Sequence, residues 1–370
     1  MRYLLHATVV FLALFASPIL AQTVQQTSEE QIKERKNRGT VGLAAGQLGA
    51  AYPRLSQDLA KVLDDGDDLR VIPMITYGSV GNVMDLLYLR NVDIAFTKAD
   101  NLAYFEKKLN INLKSRLHYI TRLYDAELHI VVRPEIKSLE DLQGKKVNIG
   151  LPGNAANTTV PIVMKALGIE FEILNFDHAI GLEMMKKGEI SGAMRVGGKP
   201  MRTFTTAPKG QGFHFLSIST SQFAQHFADK YVLGKITHED YPDLIPEGET
   251  ITTVAVPDIL AVYNWPRGTD RYRRVENFIE AFFRKFDQLR TGPFHKKWKD
   301  VNLAATIPGW TRSEIAERML QELAIKGSNP LRNEFNSFLS ANGGNLASKT
   351  ASEREAIFRE FLAWRNRQTQ

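Results

Sequence analysis

Five short stretches of this 370-residue chain combine bare backbone with small polar side chains, and chemistry would be done there. The first is GLAAGQLGAAYP at 42–53. Gly46 and Gly49 allow a tight turn with unusual dihedrals. The missing side chains let a ligand reach peptide N–H groups at a helix start, which lack partners and carry the positive dipole end. That arrangement suits a carboxylate or phosphate, with Gln47 and Tyr52 adding side-chain hydrogen bonds. Close helix–strand packing is the competing explanation for the small residues. The spacing is not the dinucleotide fingerprint, and no acidic partner follows it.

Four further turns repeat the pattern: TYGSVGN at 76–82, where Ser79 reads as a helix N-cap, FTKAD at 96–100, GLPGNAANTT at 150–159 and RVGGKP at 195–200. Singly, each reads as an ordinary cap. Together they describe an anion-binding cleft, because ligands of open α/β sheets sit at the carboxyl ends of strands. Arg195 and Lys199 would supply balancing positive charge. Catalytic patterns are thin. The histidines show no metal spacing such as H-E-x-x-H. There is no G-x-S-x-G, and no cysteine nucleophile. No nucleophile, base and orienter come together, so no enzyme, cofactor or metal is expected.

Stepping outward, the elements that position these turns alternate strand and helix. TVGLAAG, LRVIPMIT and VDIAFT read as strands, followed by helices over 52–63, 80–89 and 99–109. A second alternation runs from KKVNIGLPG to a helix ending near Lys230, and a loop then continues to Glu249. Two long apolar runs, LHYITRLYDAELHIVVRP and TITTVAVPDILAVYN, bracket this second block. Each is too long for an ordinary strand and reads as a crossing between lobes. The expected fold is therefore α/β and bilobal, with two mixed sheets and an interlobe cleft that closes by a hinge. Residues 39–126 and 253–310 form lobe 1, and 127–252 form lobe 2. Two sequential domains without a shared cleft are the rival arrangement. Residues 311–370, with the capping box Thr311 and Glu314, read as a helical C-terminal extension packed on the first lobe or used for a partner.

The chain's beginning sets a compartment. Arg2, an apolar run and Ala21 match a secretory signal peptide over 1–21, so the mature, periplasmic chain would start near Gln22. An uncleaved N-terminal anchor is the alternative. Residues 22–38 are polar without period, a mobile lead-in or frayed helix. With no cysteine the exported chain must rely on its core. The net charge of +6 is dispersed, which argues against nucleic acid as a partner. The protein is expected to be a monomer.

VGLAAGQLGAAYPRLSQDLAKVL, TYGSVGNVMDLLYLRNVDIAFTKAD, LYDAELHIVVRPEIKSLEDLQGKKVNIGLPG and VGGKP occur in the order seen in TAXI-type solute receptors, the extracytoplasmic binding proteins of TRAP transporters. The resemblance covers roughly residues 39–265. It implies a type II periplasmic-binding-protein fold and a non-catalytic receptor. It also implies a small carboxylate ligand (an organic acid or acidic amino acid) and integral-membrane TRAP permease subunits as partners. Carried over by position, it implies ligand contacts from Gln47 and Tyr52, Ser79 and Asn82, Thr97 and Asp100, and Asn154, Asn157 and Thr158. The chain departs from the family in its first turn, where Gln47 stands near a usual threonine, and in SGAMR, which introduces Arg195. A ligand-sensing or scaffold protein on the same fold is the alternative function.

Overall fold

The computed structural model describes residues 17–325 except Asp67, together with isolated positions between 335 and 361. Most of the proposed signal peptide lies outside the described residues, and so does most of the proposed C-terminal extension. Residues Ser17–Arg38 form a helix, α1. It runs through the expected cleavage position and the stretch read as a lead-in. From Ser28 onward its side chains are exposed.

The first half alternates β1 (Thr40–Ala44), α2 (Ala51–Leu63), β2 (Arg70–Met74), α3 (Ser79–Tyr88), β3 (Ile94–Lys98) and α4 (Asn101–Leu109). After β4 (Leu117–Val132) the second half runs β5 (Lys146–Asn148), α5 (Ala156–Ala166), β6 (Glu172–Leu174), α6 (His178–Lys187) and β7 (Gly192–Gly197). A short helix α7 (Arg202–Thr205), β8 (His214–Phe215), α8 (Thr220–His226) and β9 (Val232–Thr237) follow. The chain returns through β10 (Thr250–Tyr263) to α9 (Asp270–Thr291) and α10 (Glu314–Ile325). The strand β9 falls in a stretch read from the sequence as loop. It pairs antiparallel with the amino-terminal half of β10.

The expectation of two sheets is overturned. Among the described residues, ten strands form one mixed sheet: eight follow the order β2-β1-β3-β10-β4-β7-β5-β6, while β8 pairs with β4 and β9 with β10. Residues 135–245 therefore share a continuous sheet with residues 40–120. The physical reason is the length of β4 and β10, 16 and 14 residues. They pair with each other antiparallel along most of their run. The far end of β10 pairs with β3, and the far end of β4 pairs with β7. Each long run is thus one unbroken strand belonging to both halves. A register shift between Pro257 and Ile259 interrupts the ladder midway, which is where such a pair can bend.

The cores remain separate for the two halves. One face of the first half packs α2, α9 and α10 through Leu59, Phe278, Phe282 and Ile315, while α3 and α4 cover the other face. The second half has its own clusters, centred on Val147, Val163 and Ile218 on one side and on Phe204, Phe215 and Tyr241 on the other. Residues 311–325 are built into the first half. Tyr119 donates its N–H to the Thr311 carbonyl (3.0 Å) and accepts from the Ser313 N–H (2.8 Å). Trp310 donates its indole N–H to the Ala99 carbonyl at 2.9 Å.

Candidate functional site

A cleft of about 320 Å³ opens between the two halves. It sits at the carboxyl ends of the strands, where α/β ligand sites form. The first glycine-rich turn forms one wall with Gly46, Gln47, Gly49 and the start of α2. Gly49 has φ +83, a left-handed conformation that glycine adopts at no steric cost. Neither Ala50 at the start of α2 nor Gly78 at the start of α3 caps its helix with a side chain. Among the described residues, Gln47 Nε2 and Ser79 Oγ find no hydrogen-bond partner although both atoms are buried. Ser79 is 2% exposed and lines the cleft.

The opposite wall is the Arg195–Arg202 segment, and a third side is formed by His295–Lys297. Arg54, Lys98, Arg195, Lys199, Arg202, Lys296 and Lys297 line the cleft, and no aspartate or glutamate does so among the described residues. Such a wall raises the local concentration of anions. Arg195 donates to the Thr203 hydroxyl. Burial lowers its guanidinium to about 10, so it stays charged at neutral pH. The wall is braced from behind by His129, at 0% exposure. Its Nδ1–H donates to the Glu127 carbonyl at 2.8 Å, its Nε2 accepts from the Tyr241 hydroxyl at 2.8 Å, and that oxygen accepts the Met201 N–H at 2.6 Å. Burial holds the imidazole neutral, at about 3, which leaves Nε2 free to accept.

Beneath the cleft lies a buried cluster that sequence reasoning missed. Lys98 on β3 and Asp258 on β10 are directly opposed in the antiparallel ladder and form a buried ion pair. The Tyr52 hydroxyl also donates to Asp258 Oδ1, and Tyr124 stands beside the same carboxyl. Burial raises the Asp258 carboxyl, while Lys98 and the two tyrosines pull it back. Burial lifts both tyrosine hydroxyls well above their usual range, and Asp258 adds to this. The available signal was a single acid inside the apolar run VAVPDILAVY and a single lysine ending VDIAFTK. A charge buried in a sheet needs a partner. The basic run HKKWK at 295–299 was a second signal left unused.

The structure brings Gln47, Gly49, Tyr52, Ser79, Asn154, Arg195 and Lys199 to the cleft. Asn82, Thr97, Asp100, Asn157 and Thr158 do not line it. Asn82 is wholly buried and donates to the carbonyls of Ala45 and Phe96, both at 2.7 Å, tying the ends of β1 and β3 together. Thr97 donates to the Ser79 carbonyl at 2.8 Å. Asp100 crosses between the halves, accepting from the Thr159 hydroxyl at 2.7 Å and the Tyr231 hydroxyl at 3.5 Å. The side chain of Asn157 donates to Asn175 at 3.0 Å, and Thr158 is buried with its hydroxyl unpartnered among the described residues. Asn154 reaches the cleft but spends its amide on the Ile149 and Leu151 carbonyls. Tyr52 lines the cleft with its hydroxyl already committed to Asp258.

A two-half α/β sheet with a polar cleft between its halves is a solute-binding-protein-like fold, of the periplasmic-binding-protein kind. The chain belongs to the NMT1-like family, whose pattern matches residues 43–310. It is similar to a protein from Bordetella bronchiseptica RB50, with 12% identity and a TM-score of 0.48, over 77% of this chain and 98% of that one. It is similar to a protein from Archaeoglobus fulgidus, with 10% identity and a TM-score of 0.42, over 79% and 99% of the two chains. A mutant of ArgBP from T. maritima gives 18% identity and a TM-score of 0.36 over 69% and 94%.

Proposed function

We propose that the protein is an extracytoplasmic receptor for a small carboxylate, which it delivers to a TRAP-type transporter. The observation that carries the anionic ligand is the cleft wall, with seven lysines and arginines and no lining carboxylate among the described residues. The unpartnered donors Gln47 Nε2 and Ser79 Oγ support it, since a buried donor without an acceptor is costly until one arrives. Export and the transporter partner rest on the signal-like start and on the resemblance to TAXI receptors. The test is a thermal-shift screen of organic acids on the full-length and the Gln22-start protein, followed by calorimetry. A binding ligand raises Tm by mass action. A screen in which neutral sugars stabilise the protein and no acid does would reject the reading.

A second reading, a ligand-sensing or scaffold protein uncoupled from transport, is favoured by one contact. Arg359, beyond α10, pairs with Asp125 on β4 at 2.5 Å and donates to the Leu233 carbonyl at 3.1 Å. A C-terminal segment seated on the strand shared by both halves could report cleft closure to a partner. Co-purification of a membrane permease with the exported protein supports transport, and its replacement by a soluble partner supports sensing.

A further inference from the structure

Three of the seven cations that line the cleft are already paired inside the protein. Lys98 is neutralised by Asp258. Lys199 pairs with Asp240 at 2.8 Å and also donates to the Lys235 carbonyl at 2.5 Å. Lys297 pairs with Asp300 at 3.4 Å and lies over the Tyr124 ring at 5.2 Å. Arg54, Arg202 and Lys296 are exposed, so solvent and salt screen them and they act mainly on encounter. That leaves Arg195. It is largely enclosed, its Nη1 is held by the Thr203 hydroxyl, and among the described residues no carboxylate lies within ion-pair distance of it. Asp177 acts on it only from further off, with its own carboxylate accepting from the Ala179 N–H at 2.9 Å.

We infer that the ligand of this cleft is a monoanion: one carboxylate answers Arg195, and the rest of the molecule is neutral. This rests on the cleft being an anion site and narrows the class of anion. A second carboxylate would lose its hydration and meet either lysines whose charge is already balanced or exposed cations that solvent and salt screen. It would also lie close to Asp258 and Asp240, the carboxylates that balance them. The remaining donors, Ser79 Oγ and Gln47 Nε2, are neutral and suit a hydroxyl, carbonyl or amide oxygen. The aromatic rings of Tyr52, Tyr77 and Tyr124 and the side chains of Val196 and Met201 supply apolar wall. On this reading Arg195 alone, and not Lys199 with it, answers the charge of the ligand.

The experiment compares acids that differ by one charge at nearly constant shape: succinate with succinamate, glutarate with glutaramate, and terephthalate with its monoamide. Calorimetric titration of the full chain is expected to give, for the best-binding skeleton, a monoamide at least about tenfold tighter than the diacid, roughly 1.4 kcal/mol. Arg195→Gln should remove monoamide binding, and Lys209→Gln, at an exposed lysine paired with Asp243 outside the cleft, should change it by less than about threefold. Asp240→Asn keeps the acceptor for the Thr237 N–H (3.0 Å) and releases Lys199 as a second unpaired charge. It should move the diacid-to-monoamide ratio toward the diacid. A wild-type preference for the diacid overturns the single-charge inference and leaves the anion receptor standing. Failure of every mono- and dianion to bind the folded protein overturns both.

Discussion

Lys98 and Asp258 face each other across the β3–β10 ladder, both buried, on the floor of the cleft between the two halves of the sheet. The pair joins the strand that ends the second βαβ unit to the strand that both halves share. Asp258→Asn leaves the lysine charge buried and unanswered. It should destabilise the protein by about 3–5 kcal/mol, whereas replacing both residues by apolar ones of similar size should cost much less. Denaturant titrations of the singles and the double measure this. Equal losses in Asp258→Asn and the double variant would show that the pair is not coupled.

Tyr52 gives a related prediction with a different readout. Its hydroxyl donates to Asp258, so Tyr52→Phe should lower stability by about 1.5–3 kcal/mol, the range for a hydrogen bond to a charged group. Ligand affinity should change little. Unchanged Tm with a sharp loss of binding would mean that the hydroxyl serves the ligand instead.

Two buried titrating groups oppose each other in their pH dependence. His129 sits at about 3 in the folded protein, against about 6.5 when unfolded. The unfolded chain therefore binds a proton that the native state refuses, and stability falls as pH drops from about 6.5 toward 3. Glu127 is raised to about 7, chiefly by burial and despite Lys297 and Lys199. Between roughly 4.3 and 7 the native state holds a proton that the unfolded chain has released, so this contribution is lost as pH rises through that window. Glu127→Gln should remove the second slope, leaving the variant more stable than wild type at pH 8 by up to about 3 kcal/mol. Tm measured from pH 4 to 8 tests it. Parallel curves for variant and wild type would contradict the assignment.

The alternation of strands and helices was legible in the sequence because each βα step carries its own apolar period and its own glycine turn. The position of the cleft was legible for the same reason. Which side chain of a turn faces the ligand was not. Ser79 and Asn82 lie one helical turn apart, yet one opens on the cleft and the other is sealed between β1 and β3. That choice depends on how α3 seats on the sheet. The Lys98–Asp258 pair joins positions far apart in the chain and exists only through strand register. The single sheet was hidden because strand length announces a crossing but not whether the ladder breaks there.

The two halves touch through backbone. The Gly153 carbonyl accepts from the Val80 and Gly81 N–H groups, both at 3.1 Å, so the second half caps the start of α3. A Cβ on Gly153, at φ +90, would lie 2.7 Å from the Tyr77 Cβ. Gly153→Ala should therefore push the halves apart. Small-angle scattering should give a larger radius of gyration than wild type, and ligand affinity should fall by at least about tenfold. A variant with wild-type dimensions and affinity would show that this contact has no part in closure.

Truncation separates the built-in part of the C-terminal segment from the rest. Trp310, Ile315 and Met319 belong to the cores of the first half. Arg267 forms a two-bond fork with Glu314, at 2.8 and 2.7 Å. A chain ending at Gly309 loses several buried side chains at about 2–5 kcal/mol each, enough to exhaust a typical domain's stability. It should not fold. A chain ending at Ile325 keeps these contacts and should fold, with ligand affinity within about tenfold of wild type. A stable, ligand-binding chain ending at Gly309 would show that the packing of α10 is dispensable.

Gly49 decides whether the first turn serves the ligand or only the fold. Its φ of +83 is strained for any side chain, while a Cβ there would meet no atom of the described residues within 4 Å beyond its chain neighbours. Gly49→Ala therefore adds little bulk and should cost about 1–2 kcal/mol of stability through backbone strain. Gly49→Val imposes the same strain, adds the stiffness of a β-branched side chain, and places two methyl groups in the space where the cleft opens. If that space belongs to the ligand, valine should weaken binding far more than alanine, while the two variants differ little in Tm. The comparison cancels the strain they share, so calorimetric titration of the pair reads access alone. Equal affinities for Gly49→Ala and Gly49→Val would place the ligand elsewhere in the cleft and leave this turn as packing.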